Sequence, residues 1–394
     1  MTSILDWLQF FFRWLHIVAA IMWIGDSLLF MWIDSHLRPD PEGRKDVAGV
    51  TWLIHGGGYY HLEKRLLVPG RLPPSLRWFW LEATTTWLSG FLLLILIYYM
   101  SADAFMVDRF ASDVSPRLAI AGGLVMLAGG WVLYDLLWRS SLRHRPALAS
   151  AISFVAFIGV SFAATLVLSA RAAFIHTGGM LATIMAANVW VHIIPPQWKM
   201  VRSARAGKEI DYTLGAHAKM RSTHNSYLTF PVIFLMISVH FPALYTAPHK
   251  WLILTLFLVF GAGVRHLMLV GPSRAKLPAV ATIAAALLLV YLTTQPFGPP
   301  PLPVSGPVPA FVEVRTVIVR RCAVCHSANP TLPAVSAMPG GVTMDTPAQI
   351  RSAARRIRVR AVELKTMPPA NTTQMTQSER DLLARWIDAG APLK

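Results

Sequence analysis

Long apolar segments recur along most of this chain of 394 residues, and they constrain its fold more than any other feature. Each segment is close to the roughly 20 residues that a helix needs to cross a bilayer. The sequence is 54% hydrophobic and 14% charged, whereas a soluble domain carries about 25% charged residues. We therefore predict an all-α fold class, a polytopic membrane helix bundle whose eight helices cover residues 9–33, 79–100, 117–138, 149–170, 172–194, 226–243, 251–270 and 275–295.

Basic residues are distributed unevenly over the predicted loops. Eighteen Lys and Arg residues follow spans 1, 3, 5 and 7, whereas four follow spans 2, 4 and 6. Because cytoplasmic loops are enriched in Lys and Arg, this bias predicts that both termini lie outside. The loops also account for the net charge of +16, so we expect no nucleic acid partner. The first apolar segment is too long for a signal peptide and lacks a small-residue cleavage site, so it is counted as span 1.

The composition changes after the last span. Residues 296–310, PFGPPPLPVSGPVPA, are rich in proline and predict a semi-rigid spacer that extends about 3.1 Å per residue. Residues 311–394 are more polar and rich in Arg, as expected of a small soluble domain. In its last helix, Thr376 and Glu379 have the spacing of a capping box. The predicted domains are therefore a membrane domain over 1–295, a linker over 296–310 and a soluble domain over 311–394.

The two cysteines of the chain, Cys322 and Cys325, are followed directly by His326. This C-x-x-C-H pattern is the attachment signature of a c-type haem, in which the thiols add to the vinyl groups and the histidine ligates the iron. A thioredoxin-like redox pair needs no such histidine, and a zinc site would need a second pair of ligands. We therefore predict a covalent haem c, with its iron as the bound metal.

The sixth ligand of that iron is predicted to be a methionine, because no histidine follows His326 and Met/His ligation is common in cytochromes c. The candidates are Met338, Met344, Met367 and Met375. We prefer Met367, because two prolines follow it and the capped last helix begins soon afterwards. Residues 311–394 resemble the class I cytochrome c family, in which a Met-Pro loop before the last helix supplies this ligand.

Histidines near the outer ends of the predicted spans form a first group, which consists of His16, His176, His240 and, just outside, His249. The segment WLHIVAAIMWIG (Trp14–Gly25) resembles the first helix of several membrane proteins whose early histidine binds haem b. We predict a b-type haem here, with His16 as one ligand and His240 or His176 as the other. The alternative is that these histidines are solvated at the membrane interface.

A second group of polar residues is expected towards the inner side. Its members are His55, His61, His192, His217, His224, His266, Asp26, Glu82, Asp135, Asn188, Asn225 and Arg265. Ionisable groups within spans are costly and usually face a cavity, a pathway or a cofactor. We predict a substrate pocket that opens to the cytoplasm, with His217, His224, Arg265 and Glu82 as candidate catalytic residues. The alternatives are ordinary hydrogen bonds between helices or a second haem site.

Two local patterns refine this group. His217 and His224 are seven residues apart and share one face of a continuous helix, which Pro231 is expected to kink. The segment HGGGYYHLEK (His55–Lys64) holds two histidines six residues apart, which does not fit one helical face. We predict a loop there, whose glycines let the backbone approach a ligand closely.

Taken together, the chain resembles the membrane-bound bacterial urate oxidases, also called cytochrome c urate hydroxylases. The matching parts are Trp14–Gly25, His55–Lys64, THNSYLTFPVIFLMISVH (Thr223–His240) and the CxxCH and MPP elements. The resemblance implies that urate is oxidised to 5-hydroxyisourate without peroxide, and that electrons pass through haem to cytochrome c and a respiratory acceptor. It also implies the bacterial inner membrane as location, with the N-terminus and the cytochrome domain on the periplasmic side. Arg265 and the inner histidines would suit a planar urate anion.

Three other functions fit parts of the sequence. A quinol-linked or other membrane cytochrome subunit for electron transfer would explain the haem motif equally well. A non-enzymatic membrane anchor would need few polar groups inside the bundle, and the inner polar residues argue against it. A transporter would leave the covalent haem unexplained.

Overall fold

The computed structural model describes residues 4–107, 114–241, 244–245, 249–294, 306–332 and 342–393. The N-terminal part is a bundle of long helices: α1 (Ile4–His36), α2 (Leu81–Leu94), the single turn α3 (Ala102–Phe105), α4 (Pro116–Arg139), α5 (Pro146–Val167), α6 (Ala170–Ala187), α7 (Ile194–Arg205), α8 (Tyr212–Ser238), α9 (Lys250–Val270) and α10 (Lys276–Thr294). We call it the N-terminal bundle. Wider π-helical turns extend α2 over Ile95–Tyr99 and join α6 to α7 over Asn188–Ile193.

Seven of these helices are long and apolar enough to cross a membrane, counting α6 and α7 as one continuous helix of 36 residues. They carry large exposed apolar side chains such as Ile4, Phe10 and Leu277, which suits lipid contact and fits a membrane protein. The predicted span 226–243 falls on α8 as far as Ser238, and residues 242–243 lie outside the described residues. Helix α8 is not among the seven, because its first half carries polar side chains. Pro231 lies inside it as expected.

The all-α prediction is corrected by an antiparallel hairpin, β1 (Val47–His55) and β2 (Gly58–Arg65), between α1 and α2. Gly56 and Gly57 form its two-residue turn with φ of +58° and +79°, the conformation that a tight hairpin requires. The prediction of a loop over His55–Lys64 is therefore wrong. The six-residue spacing of His55 and His61 excludes one helical face, but it does not reveal a strand. Strand formation here depends on pairing between β1 and β2.

The hairpin also separates two predicted site residues from the rest. His55 and His61 are both exposed on it, and the His61 ring lies 4.6 Å from the ring of Trp52. Asp34 of α1 accepts a hydrogen bond from Lys64 at 2.5 Å and forms an ion pair with Lys219 at 3.1 Å. These contacts hold the hairpin against α1 and α8.

A second hydrophobic core belongs to residues 306–393, which we call the C-terminal helical region. Its helices are α11 (Phe311–Arg321), α12 (Pro347–Ile357), extended by a π-helical turn over Arg358–Glu363, and α13 (Gln377–Asp388). Trp386 is fully buried, and its indole N–H donates to the Pro392 carbonyl at 2.7 Å. Thr376 and Glu379 form the predicted capping box at the start of α13. Of the predicted linker, residues 296–305 lie outside the described residues.

The C-terminal helical region contacts one end of the N-terminal bundle. The short turn Pro369–Asn371 packs against α3, which follows the second membrane-length helix. Residues of the N-terminus of α6 line the same junction. In the topology predicted from the basic loops, this is the outer end of the bundle.

Candidate functional site

A buried carboxylate, Asp135 of α4, organises the polar interior of the N-terminal bundle. Its Oδ1 accepts a hydrogen bond from Arg221 Nη2 at 2.9 Å and lies 2.5 Å from His192 Nε2. Arg221 comes from α8 and is completely buried, and His192 comes from the π-helical turn after α6. Three elements therefore converge on one carboxylate. A buried charge of this kind is tolerable because it is paired.

Hydrogen bonds extend this centre in two directions. His192 Nδ1 lies 3.4 Å from Nε2 of His217, which is half-buried and one turn before Arg221. On the other side, Arg221 Nη1 donates to Asn188 Oδ1 at 3.4 Å, and Asn188 Nδ2 donates to Asn225 Oδ1 at 2.9 Å. We call the set Asp135, Asn188, His192, His217, Arg221 and Asn225 the Asp135 network.

His224 lies beside this network in an aromatic setting. Its Nδ1 is 2.7 Å from the hydroxyl of Tyr134, and its ring centroid is 4.1 Å from that of Trp138. Asn188 Nδ2 donates to the same Tyr134 hydroxyl at 3.3 Å, so His224 is linked to the Asp135 network through Tyr134. The Arg221 guanidinium lies 5.1 Å from the Tyr134 ring centroid, within range of a cation–π contact.

The network combines groups that suit acid–base chemistry on an anion. The His192–His217 pair offers a path along which a proton can move. Arg221 supplies a positive charge with directional N–H donors, and its Nε has no acceptor among the described residues. A π-helical turn carries two of the network residues, and such turns are frequent at functional sites.

The sequence-based candidates are thus partly brought together. His217 and His224 reach the network from one face of α8, as predicted, but Arg265 and Glu82 lie elsewhere. Arg265 Nε donates to Ser226 Oγ at 3.1 Å, and its Nη2 lies 2.9 Å from the sulfur of Met31. Glu82 of α2 is electrostatically coupled to Asp26, and its Oε2 is buried without a partner among the described residues.

Sequence reasoning missed Arg221 as a site residue, because it was counted among the cations of a loop. The available signal was its spacing on α8. Arg221 follows His217 by four residues and precedes His224 and Asn225 by three and four, so all four share one helical face. Tyr134 carried no comparable signal in the sequence.

The three histidines predicted to hold a b-type haem have separate surroundings, unlike the residues of the Asp135 network. His16 Nδ1 lies 2.9 Å from the Thr86 carbonyl, and Gly90 faces the His16 ring. His176 is fully buried, with Nε2 3.2 Å from the Tyr99 hydroxyl. His240 is exposed in the turn after α8. No hydrogen bond or ring contact among the described residues joins any two of these three histidines, so the ligand pair stays a prediction.

A cavity of about 800 Å³ opens in the C-terminal helical region, and the CxxCH motif lines it. Its lining includes Cys322, Cys325, His326 and Met367, the residues predicted to hold haem c, together with Met344. His326 Nδ1 lies 3.1 Å from the Val342 carbonyl, a contact that orients the ring and leaves Nε2 as the nitrogen able to ligate. The two residues predicted to ligate the iron, His326 and Met367, therefore line one cavity.

Arg380 is buried and holds the segment that carries Met367 through hydrogen bonds. The Arg380 guanidinium donates to the Met367 carbonyl at 2.9 Å, to Asn371 Oδ1 at 3.2 Å and to the Ala361 carbonyl. Met375, another of the methionine candidates, is buried in the hydrophobic core of the region and does not line the cavity. Met338 lies outside the described residues.

One comparison with known proteins is decisive for the N-terminal bundle. A family model described as urate oxidase N-terminal matches residues 2–295. The chain belongs to the urate oxidase N-terminal family. No curated protein and no solved structure matches the chain significantly.

Membership of the urate oxidase N-terminal family suggests an oxidoreductase that acts on urate. The Asp135 network and His224 lie entirely within the matched residues, whereas Cys322, Cys325, His326 and Met367 lie beyond them. The family match therefore bears on the bundle, and the haem c prediction rests on the C-terminal helical region itself.

The surroundings of the two thiols favour neither a redox-active pair nor a zinc site. Burial raises the pKa of the Cys322 thiol to about 12 and also raises that of Cys325. A thiol in this state is a poor redox nucleophile and a poor zinc ligand. Among the described residues, no group of three His, Cys, Asp or Glu side chains could hold a bare metal ion. The predicted haem c would need no such group, because Cys322, Cys325, His326 and Met367 would hold it.

Proposed function

We propose that this protein is a membrane-bound urate oxidase that delivers electrons to haem c. Urate and water give 5-hydroxyisourate, two protons and two electrons, so the added oxygen comes from water and no hydrogen peroxide forms. A covalent haem held by Cys322, Cys325, His326 and Met367 would accept these electrons one at a time and pass them to a respiratory acceptor. The match of the urate oxidase family over residues 2–295 carries this proposal.

The Asp135 network is the proposed urate site. Arg221 would bind the planar anion, because a guanidinium offers charge and donors in one plane. His217 lies at the less buried edge of the network and would receive a proton from urate or water, with His192 as the next acceptor. Asp135 holds the His192 ring and offsets the charge of Arg221. His224, Arg265 and Glu82 remain proposed participants at other positions around α8 and α2.

The deciding experiment uses the purified full-length protein. Urate is added without oxygen, and both 5-hydroxyisourate and the reduced haem c band are followed. We expect two haem equivalents to be reduced for each urate consumed, and no peroxide when oxygen is admitted with an electron acceptor. Reduction by a quinol but not by urate would overturn the proposal in favour of an electron-transfer subunit. A haemochrome spectrum reports the haem b to haem c ratio on the same sample.

Substituting His217→Gln tests the assigned proton acceptor. We expect the rate of urate-driven haem reduction to fall by about 100-fold, the usual contribution of a general base, and the loss to be smaller at high pH. His61→Gln on the exposed hairpin is the matched control and should keep the wild-type rate. Equal rates in the two variants would remove His217 from the proposed mechanism.

A further inference from the structure

The cavity that holds the haem motif is built by two parts of the chain. Most of its lining comes from the C-terminal helical region, but Ala104 and Phe105 of α3 and Arg171 of α6 complete the wall. Arg171 lies at the first turn of α6, next to the Ser169 cap that binds the Phe105 carbonyl at 2.6 Å. The N-terminal bundle therefore contributes a fixed cation to a cavity that lies mainly outside it.

The formal charges that line this cavity are all positive. Five arginines line it, namely Arg171, Arg321, Arg355, Arg356 and Arg360, and its lining contains no Asp or Glu. Arg321 is paired with Glu379 at 2.9 Å. Within the described ranges, the other four arginines form no ion pair with a carboxylate. Such an excess of positive charge around an apolar cavity favours an anionic ligand.

Arg171 is the most constrained of the four. Its guanidinium carbon lies 5.0 Å from the Phe105 ring centroid and 5.7 Å from that of Tyr98. Its Nε is buried and has no acceptor among the described residues. A buried donor without an acceptor costs free energy, so an acceptor brought by a ligand would stabilise this arrangement.

The ligand must be mostly apolar and must carry anionic groups at an edge. The same lining includes Cys322, Cys325, His326 and Met367, the residues that would bind the vinyl groups and the iron of a haem. A haem also carries two propionate carboxylates, and arginine is the residue best suited to bind a carboxylate with two parallel hydrogen bonds. The haem of the proposed function therefore matches both the apolar residues and the arginines of this lining.

We propose that Arg171 binds a carboxylate of the haem, so that the prosthetic group itself fastens the C-terminal helical region to the N-terminal bundle. This inference rests on the proposed function, because it needs a haem at Cys322 and Cys325. It assigns Arg171 as a positioning residue that joins the two parts of the chain. The haem thereby lies at the junction through which electrons leave the bundle.

Two lysines in a neighbouring groove allow the contact between the C-terminal helical region and the N-terminal bundle to be measured by crosslinking. We call this contact the docked state. The groove has a volume of about 350 Å³ and is lined by Lys250 at the start of α9 and by Lys365 of the C-terminal helical region. A short amine-reactive crosslinker that joins these two lysines reports the docked state in the full chain. Replacement of either lysine by arginine identifies the crosslink.

We expect Arg171→Gln to lower the crosslinked fraction, with the docking equilibrium reduced by about tenfold, the effect of one hydrogen bond to a charged group. The variant should keep a full complement of covalent haem, and the midpoint potential of its haem should fall because a nearby positive charge is gone. Arg171→Lys, which keeps the charge, should restore part of the crosslinking. Arg351→Gln, exposed on α12 and away from the cavity, is the control.

Three outcomes separate the two proposals. A purified wild-type protein without covalent haem would overturn the proposed function, and this inference with it. Full haem content combined with wild-type crosslinking and an unchanged midpoint potential in Arg171→Gln would overturn the inference alone. The double variant Cys322→Ser and Cys325→Ser, purified without haem, should crosslink as weakly as Arg171→Gln. Wild-type crosslinking in that variant would show that protein contacts alone maintain the docking.

Discussion

Arg380 is the residue on which the Met367 segment depends most. Its side chain is 1% exposed, and its guanidinium satisfies acceptors on Ala361, Met367 and Asn371. Removal of the arginine takes this donor from the Ala361 and Met367 carbonyls, whereas Asn371 Oδ1 still accepts from the Met375 backbone at 2.9 Å. Each buried acceptor that is left without a donor costs about 1–3 kcal/mol. A single side chain therefore sets the backbone position from which Met367 reaches the cavity.

We predict that Arg380→Met destabilises the C-terminal helical region by about 3 kcal/mol. The methionine fills part of the space but donates no hydrogen bond, so the Met367 segment loses its anchor. Thermal unfolding measures the stability, and the absorption spectrum of the proposed haem c tests whether Met367 would still reach its iron. Arg315→Met, at an exposed position on α11, is the control. Wild-type stability and ligation in Arg380→Met would contradict the assigned role.

Hydrogen bonds lower the pKa of two carboxylates near the CxxCH motif. Burial acts to raise the pKa of Glu379, but hydrogen bonds from the Thr376 backbone and from Arg321 outweigh it and lower the pKa below its ordinary value. A hydrogen bond from Ser327 and another from the Ala328 backbone likewise lower the pKa of Asp345. Glu379 pairs with Arg321, and Asp345 accepts from the Ala328 backbone. These two contacts hold the two ends of the segment that contains Cys322 and His326.

These lowered pKa values predict acid sensitivity of the C-terminal helical region. A carboxylate with a lower pKa in the folded state contributes stability above its unfolded pKa, roughly 4, and loses it as the pH falls through the folded value. The melting temperature should therefore be nearly constant between neutral pH and about pH 5, and should drop below that. Glu379→Gln should be less stable at neutral pH and should show a shallower acid decline. An equally steep decline in this variant would contradict the assignment.

At the scale of elements, α4 and α6 pack closely through one face of glycines. Gly123 and Gly130 are seven residues apart on α4, and a methyl group on them would lie 2.6 Å from His176 Nε2 and 2.6 Å from the Met180 sulfur, respectively. His176 and Met180 are one turn apart on α6, so the two faces match. Gly122 and Gly129 have no atom within 4 Å of the corresponding positions. Small residues at such positions let helices in a membrane approach each other.

We predict that Gly130→Ala destabilises the N-terminal bundle by about 1–3 kcal/mol, the usual cost of overpacking. The adjacent Gly129→Ala is the matched control, because it adds the same methyl group to open space on the same helix. It should be neutral or slightly stabilising, since alanine favours helix more than glycine does. Thermal unfolding of both variants in detergent makes the comparison. Equal stability of the two variants would mean that α4 and α6 are not in the described contact.

At the scale of the whole molecule, the two candidate sites lie at opposite ends of the bundle. Arg171 borders the C-terminal cavity and His192 belongs to the Asp135 network, and both lie on the same continuous helix. Twenty-one residues separate them, which corresponds to about 30 Å of helix. Electrons from urate oxidised at the Asp135 network would therefore have to cross most of the bundle. Such a distance gives a role to an intermediate redox centre, for which His16 and either His240 or His176 stay the predicted ligands.

The proposed arrangement predicts which parts of the chain are exposed on each side of the membrane. In right-side-out spheroplasts, trypsin should cut the arginine-rich C-terminal helical region and leave the segment from Lys199 to Lys208 intact. In inverted vesicles the pattern should be reversed, because that segment follows the fifth predicted span on the cytoplasmic side. Cleavage of the C-terminal helical region in inverted vesicles alone would contradict the proposed orientation.

Much of the architecture could be predicted from local patterns. The apolar segments predicted eight spans, of which seven correspond to helices of the described residues that are long and apolar enough to cross a membrane. The Thr376–Glu379 pair predicted the start of α13. Both features depend on residues close together in the chain, for which length, composition and spacing are sufficient. The end of α6 was less predictable, because a π-helical turn carries the helix past residue 194 to Arg205.

Local sequence patterns were sufficient to predict the helical bundle, the CxxCH motif and the shared face of His217 and His224 on α8, because each depends on neighbouring residues. Only the tertiary structure decided that Arg221 pairs with Asp135, that Arg265 lies apart, and that residues 47–65 form a hairpin. The tertiary fold also brings Ala104, Phe105 and Arg171 to a cavity whose remaining lining lies between Arg321 and Thr373. Such contacts join distant segments, and no local period or composition encodes which distant segment will be the partner.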